Sequence, residues 1–131
     1  YLGKGRPGYV EKQRLPMDEA ILIIREAGGL AALAHPGLID LTETDTYERL
    51  LVELMSMGLQ GIEVYYPGHS AKKQSFFEDL AANLGLLITG GTDFHGDINP
   101  DIQLGIGQGD LSIPYTVYES IVAALKVNRC N

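Results

Sequence analysis

Apolar residues recur along the chain in two alternating patterns, one with helical spacing and one in short continuous runs. Helical spacing predicts amphipathic helices, whereas short uninterrupted runs predict strands that are covered on both faces. The helical spacing occupies residues 16–27, 46–57, 70–84 and 115–127. The continuous runs occupy residues 30–34, 61–66 and 86–89. The sequence therefore predicts the element order α-β-α-β-α-β-α.

Residues that begin and end helices flank these segments. Pro16 suits the first position of a helix, and Asp45 or Thr46 and Ser70 suit the capping position of two later ones. Gly85 suits the end of the third helix. The apolar faces predicted to point inward are formed by Ala20, Ile23, Ile24 and Ala27, by Leu50, Leu51, Leu54 and Met57, by Phe76, Phe77, Leu80 and Ala81, and by Val117, Ile121, Ala124 and Leu125.

Short apolar strands that alternate with amphipathic helices are typical of an α/β fold with a parallel sheet. Residues 1–15 are predicted to form a loop that precedes the repeating elements of residues 16–131. The length of 131 residues fits a single domain. A closed barrel of this type needs about 250 residues, so the chain is either a small three-layer unit or one half of a barrel. The first residues resemble mid-chain sequence, which favours the half barrel and a fragment of a longer protein.

Composition excludes several classes of function. The formal net charge of −7 argues against a nucleic-acid-binding surface, which needs a basic face. The single cysteine, Cys130, permits no disulfide within the chain, so we expect a reducing compartment such as the cytoplasm. No apolar run approaches the roughly 20 residues that cross a bilayer.

All three histidines lie where predicted strands end. His35 follows the first strand, His69 follows the second, and Asp93 and His95 follow the third. The carboxyl ends of parallel strands are where ligands bind in α/β folds. Asp93 and His95 are two positions apart and point the same way in an extended segment, so together they predict half of a metal site. Carboxylate and imidazole ligands suit zinc, manganese or iron(II).

Structural explanations compete with this chemistry at each position. His35 alone is compatible with a histidine bonded to backbone, and Asp93 with an Asx-turn. The sequence leaves four roles open for His69: metal ligand, general acid, substrate contact or surface residue. Glu63 lies in an apolar strand, where it is either an exposed edge residue or a buried carboxylate that orients a ligand histidine. Tyr65 and Tyr66, which follow it, are predicted to pack rather than to act in catalysis.

A basic pair precedes the first helix. Lys4 and Arg6 alternate with glycines, so the cations can converge on a phosphate, although a solvated terminus explains them equally well. No phosphate-binding P-loop or dinucleotide fingerprint is present, and the glycines of residues 105–109 lack the spacing that either motif requires.

Three motifs together resemble the polymerase and histidinol phosphatase (PHP) superfamily. They are GGLAALAHP at residues 28–36, GIEVYYP at 61–67 and TGGTDFHG at 89–96. The segment KGRP at 4–7 is similar to one found in the branch of TrpH-like metal-dependent phosphoesterases, some of which act on nucleotides. The resemblance implies a distorted (β/α)7 barrel with two or three divalent metals at the strand ends, of which this chain is the C-terminal half.

Carried over residue by residue, the resemblance makes His35, Asp93 and His95 metal ligands. It also makes Arg6, together with Lys4 and His69, a contact to a small phosphorylated substrate such as a nucleotide. The first motif of the family, an HxH pair, is absent from the chain, so we expect an incomplete site with little activity on its own.

Two functions therefore remain open. One is a metal-dependent phosphoesterase without its first motifs, and the other is a non-catalytic binding or interaction module that has kept half of the fold. A half barrel exposes strand edges, which predicts self-association in either case.

Overall fold

The computed structural model describes residues 5–7, 14–41 and 46–128, which form four α-helices and three β-strands. The elements alternate along the chain as predicted, and all the strands are parallel. In chain order they are α1 (Met17–Glu26), β1 (Ala32–Leu33), α2 (Tyr47–Ser56), β2 (Gly61–Tyr65), α3 (Ala71–Leu84), β3 (Leu87–Gly90) and α4 (Tyr115–Asn128). Short 3-10 helices at Pro36–Leu38 and Gly96–Ile98 follow β1 and β3.

Strand β2 lies at the centre of the sheet, in the order β1-β2-β3. Gly61 of β2 is paired with Ala32 of β1 and with Leu87 of β3. An irregularity between Glu63 and Tyr65 shifts the register towards the end of β2. Such bulges redirect side chains, and this one lies at the end of the sheet where the chemistry-bearing residues were predicted.

The core lies between the sheet and helices α2 and α3. Ile62 and Val64 of β2 are completely buried, as are Leu51 of α2 and Phe77 of α3. Each such side chain contributes about 1.5–3 kcal/mol through its removal from water. β2 is thus fixed by apolar contacts on one face, and its alternate residue Glu63 is left half-buried.

Two helix starts form as their sequences predict. The Thr46 hydroxyl accepts a hydrogen bond from the Arg49 N–H at 3.1 Å, and the Ser70 hydroxyl accepts one from Lys73 N–H at 3.3 Å. These side chains satisfy N–H groups that have no partner within the first helical turn. Helix α3 ends at Gly85, whose φ of 68° is the left-handed conformation that glycine adopts without strain.

The predicted inward face of α1 is wrong. Ile21 is its buried residue, whereas Ile23 and Ile24 are 51% and 42% exposed. The 3.6-residue period was correct, but the period does not reveal which side of the helix the rest of the fold covers.

Three other predictions of burial also fail in part. β1 is two residues long instead of five and exposes Ala32, because it pairs with β2 alone at one edge of the sheet. Phe76 of α3 is 48% exposed. No residue of α4 is buried, although its predicted inward residues Val117 and Ile121 are half-buried where the helix contacts β3.

Among the described residues, both outer strands of the sheet pair with β2 only. Self-association through exposed strand edges stays a prediction. Residues 5–7 and 14–16 contain neither helix nor strand, and the remainder of the predicted loop 1–15 lies outside the described residues. Within the part of the chain that the structure describes, no helix is long and apolar enough to span a bilayer.

Candidate functional site

The carboxyl ends of the three parallel strands meet at one end of the sheet. His35 follows β1 by two residues, Glu63 lies within β2, Tyr66 directly follows β2, and Asp93 follows β3 by three residues. A Cβ atom placed on Gly91 would lie 3.6 Å from Oε1 of Glu63, so the chain that leaves β3 passes beside this carboxylate. The strand ends therefore bring His35 and the segment that leads to Asp93 close to Glu63.

Glu63 holds the chain that leaves β1. Its Oε2 accepts a hydrogen bond from the backbone N–H of His35 at 2.6 Å. Burial raises the pKa of this carboxyl, and the His35 N–H and the nearby rings of His35 and His69 oppose that rise. The negative charge of Asp93 adds a smaller upward shift to the Glu63 pKa, which places that carboxylate in the same cluster.

His35 and Asp93 both adopt left-handed backbone conformations. Their φ angles are 32° and 52°, and within residues 5–7, 14–41 and 46–128 no other non-glycine residue has a positive φ. A side chain in this conformation costs about 1–2 kcal/mol, which the surrounding contacts must offset. Such conformations cluster at functional sites, and here they fall on two of the predicted metal ligands.

The His95 ring is oriented by the residue two positions before it. Nδ1 lies 2.7 Å from the backbone oxygen of Asp93 and 3.5 Å from Oδ1 of the same residue. Because a carbonyl can only accept, Nδ1 carries the proton and the lone pair of the neutral ring lies on Nε2. The side chains of His95 and Asp93 are 57% and 40% exposed, so both remain open to a ligand. This is the arrangement in which metal-binding histidines are held.

His69 is buried, with 5% of its surface exposed. Its Nδ1 donates to the Val64 carbonyl at 2.8 Å, and its Nε2 accepts the Gly37 N–H at 3.2 Å. Both ring nitrogens are therefore occupied by backbone groups. This geometry gives His69 a structural role and lends no support to the predicted contact between His69 and substrate.

Gly37 is held from two sides. Besides the bond from its N–H to His69, its carbonyl accepts a hydrogen bond from Nζ of Lys73 at 3.0 Å. A Cβ at Gly37 would lie 2.6 Å from Nε2 of His69, so the turn and the ring fit only because residue 37 is glycine. These contacts fix the turn directly after His35.

Tyr66, which the sequence predicts to pack, lies beside two of the predicted site residues. Its ring lies 5.8 Å from the ring of His35 and 5.2 Å from that of His69, between centroids. Tyr66 also lines a cleft of about 220 Å³ with Asp93. Burial, and then the charges of Asp93 and Glu63, raise the pKa of the phenol above its ordinary value. In the sequence, the position of Tyr66 at the end of a predicted strand is the feature that places it at this end of the sheet.

The structure does not test the predicted phosphate contacts of Lys4 and Arg6. Lys4 lies outside the described residues. Arg6 is exposed, and in the part of the chain that the structure describes no hydrogen bond or ion pair connects it with the strand ends. Their roles stay predictions.

The predicted ligands do not by themselves form a complete metal-binding cluster. In the described ranges, no group of three or more His, Cys, Asp or Glu side chains is arranged to hold a metal ion. The donor types and their orientation suit a divalent metal, but a closed or catalytic site normally has at least three protein ligands.

Comparisons with known proteins place the chain in a family. It is 41% identical over 95 residues to a 3',5'-nucleoside bisphosphate phosphatase from Chromobacterium violaceum, which is 72% of this chain and 33% of that protein. It is 41% identical over 78 residues to a phosphoribosyl 1,2-cyclic phosphate 1,2-diphosphodiesterase from Eggerthella lenta, which is 60% of this chain and 28% of that protein. The chain belongs to the PHP superfamily. No protein-family model matches it.

Solved structures agree with this assignment to the PHP superfamily. An amidohydrolase from Chromobacterium violaceum, with bound sulfate and no metal, matches 98% of this chain and 42% of its own with a TM-score of 0.67 and 34% identity. A candidate metal-dependent phosphoesterase from Bifidobacterium adolescentis matches 92% of this chain and 41% of its own with a TM-score of 0.68 and 25% identity. The chain thus spans about a third of the PHP relatives from Chromobacterium violaceum and Eggerthella lenta.

Proposed function

We propose that the chain forms part of the active site of a metal-dependent phosphoesterase, which hydrolyses a phosphate monoester or a nucleotide. The observation that carries the proposal is the pair of left-handed residues, His35 and Asp93, on either side of Glu63. Strain at these positions has no evident structural benefit, whereas it is expected where side chains are held for chemistry. Membership of the PHP superfamily and the names of the similar proteins support the reaction class.

In this proposal His35, Asp93 and His95 hold divalent metal. Imidazole and carboxylate donors fit zinc, manganese or iron(II), and we infer two or three ions in the complete domain. When bound, such ions supply a water that is readily deprotonated and positive charge close to the phosphoryl group. The His95 ring fits this role because its Nδ1 proton is engaged by Asp93 and its Nε2 carries the lone pair.

The remaining residues bind and orient. Glu63 fixes the backbone of His35 through its hydrogen bond, and the contacts of His69 and Lys73 with Gly37 fix the turn that follows. Arg6, together with Lys4, contacts the phosphate of a small substrate by charge-assisted hydrogen bonds. A nucleotide is the substrate we infer, as for some members of the TrpH-like branch that the segment KGRP resembles.

Because the chain spans about a third of its relatives, we propose that further metal ligands come from the rest of a longer domain. An HxH pair and the additional strands of a (β/α)7 barrel are the expected missing parts. The chain alone is then expected to have little or no hydrolytic activity.

The test uses the protein that contains this chain. His35→Ala and Asp93→Asn should each lower phosphate-ester hydrolysis about 100-fold or more, because each removes several kcal/mol of transition-state stabilisation. Asparagine tolerates a left-handed backbone, so Asp93→Asn tests the charge rather than the conformation. Asp79→Asn, an exposed site on α3, is the matched control and should be fully active. Full activity of both site variants with their metals retained would exclude the proposal.

The absence of a three-ligand cluster in the described ranges favours a second candidate, a non-catalytic module with residual histidines. Metal analysis of the parent protein separates the two. Stoichiometric zinc, manganese or iron that is lost in a His35→Ala/His95→Ala double variant supports the phosphoesterase. A parent that takes up no metal under any loading condition supports the module.

A further inference from the structure

A polar cleft of about 220 Å³ opens beside Asp93. Tyr66 and Gly68, which follow β2, form one wall, and Asn99 and Gln108, from the segment after β3, form the other. Whole small-molecule sites usually measure about 300–1,000 Å³. The cleft is therefore large enough for one part of a substrate whose remainder lies outside it.

The walls of the cleft are fixed by contacts of their own. Gln103 and Gly107 exchange backbone hydrogen bonds of 2.7 and 3.0 Å, and Ile102 is buried. A Cβ at Gly107 would lie 3.0 Å from Cγ of Pro67, so this segment packs closely against the turn after β2. A preformed wall lowers the ordering cost that a ligand meets on binding.

The lining is uncharged except at Asp93. Of the described residues that surround the cleft, none is lysine or arginine, so it offers no cationic partner to a phosphate. It offers instead two carboxamides, a threonine hydroxyl and a phenol. Carboxamides donate and accept hydrogen bonds side by side, as the edges of nucleobases do, and aromatic rings stack on bases.

We propose that this cleft binds the nucleoside part of a nucleotide substrate, with Asn99 and Gln108 hydrogen-bonded to the base and Tyr66 against its ring. The inference rests on the proposed function, because it places the phosphate of the same ester at Asp93 and the base beyond it. Asn99 and Gln108 are then specificity-determining residues that favour nucleotides over phosphate esters without a base.

The test is an NMR titration with adenosine, without metal, of the isotope-labelled longer protein that contains this chain. Adenosine should shift the backbone amide signals of Gly68, Asn99 and Gln108 saturably at millimolar concentration. Asn99→Ala and Gln108→Ala should each weaken adenosine binding about fivefold, the effect of losing one net hydrogen bond. Asn83→Ala, which removes an exposed carboxamide from α3, is the matched control and should bind as the wild type does.

Two results would overturn the inference. One is an adenosine titration with no saturable shift around the cleft. The other is equal affinity for adenosine and ribose 5-phosphate at the same signals, since a site that reads the base must distinguish them. Because adenosine has no phosphate, the titration is independent of hydrolysis: persistent hydrolysis in His35→Ala would defeat the phosphoesterase proposal and leave adenosine binding unaffected.

Discussion

The backbone N–H of His35 donates a hydrogen bond of 2.6 Å to Oε2 of Glu63, across 28 positions of sequence. The bond joins β1 to β2 at the end of the sheet where the candidate ligands lie. Through this bond, the side chain of Glu63 stabilises the left-handed backbone conformation of His35.

Glu63→Ala should lower the free energy of unfolding by about 1–3 kcal/mol, because it leaves the half-buried His35 N–H without an acceptor. Glu63→Gln keeps an acceptor oxygen and should lose less. Urea unfolding measures both changes, and Glu53→Ala on the exposed face of α2 serves as the control. Equal stability of Glu63→Ala and the control would show that the hydrogen bond contributes nothing.

His35→Gly should be more stable than His35→Ala by about 1 kcal/mol, since glycine adopts a φ of 32° without the penalty of a Cβ atom. At Ser75, an exposed position in helix α3, the order should reverse: Ser75→Gly should be less stable than Ser75→Ala, because glycine destabilises the interior of a helix. Thermal or urea unfolding of the four variants provides the comparison. An alanine variant as stable as glycine at position 35 would contradict the left-handed conformation.

Gly37→Ala should cost about 1–3 kcal/mol of stability, because its Cβ would lie 2.6 Å from Nε2 of His69. Gly91→Ala is the matched control: its nearest contact is 3.6 Å, and it should change stability by less than about 0.5 kcal/mol. In a His69→Ala background the cost of Gly37→Ala should shrink, which a double-mutant cycle measures. If Gly37→Ala costs as much stability in the His69→Ala background as in the wild type, the destabilisation does not come from a clash with the His69 ring.

Tyr65 should ionise with a pKa of about 12, against an ordinary value of 10.0, because its hydroxyl donates to the Glu78 carboxylate at 2.5 Å. Folding favours the protonated phenol, so between these two pH values the folded chain holds a proton that the unfolded chain has lost. Stability should therefore fall as pH rises through this window.

The ultraviolet absorbance of tyrosinate, taken as the difference between wild type and Tyr65→Phe, measures this ionisation. Glu78→Gln should lower the Tyr65 pKa towards its ordinary value, although burial still raises it somewhat. Asp79→Asn, the exposed carboxylate next along α3, should leave it unchanged. A Tyr65 pKa that is insensitive to Glu78→Gln would exclude the hydrogen bond as its main cause.

Local signals in the sequence were sufficient to predict most of the architecture. Thr46 and Ser70 cap their helices because a hydroxyl one residue before a helix needs no distant partner. The face of α1 and the length of β1 depend instead on which neighbours cover them. Ile23 and Ile24 have the right spacing to be buried, but no element of the described chain lies over them.

The candidate site divides in the same way. The location of His35, Asp93 and His95 at strand ends follows from the alternation of elements. The left-handed conformations of His35 and Asp93 do not, because such backbone angles depend on contacts between residues distant in sequence, such as the hydrogen bond from His35 to Glu63. The cleft beside Tyr66 could not be predicted either, because it forms only when the segment after β3 folds back against the turn after β2.

The hydrogen bond of 2.7 Å between the His95 ring and the Asp93 carbonyl has a consequence for how the site would evolve or be redesigned. The ring takes its direction from the same peptide that sets the position of the carboxylate. The direction of the imidazole is therefore set by the backbone at position 93 and not by the side chain there. Asparagine or glycine, which tolerate a φ of 52°, can therefore replace Asp93 without turning the imidazole, so the charge at position 93 and the direction of the ring can change independently.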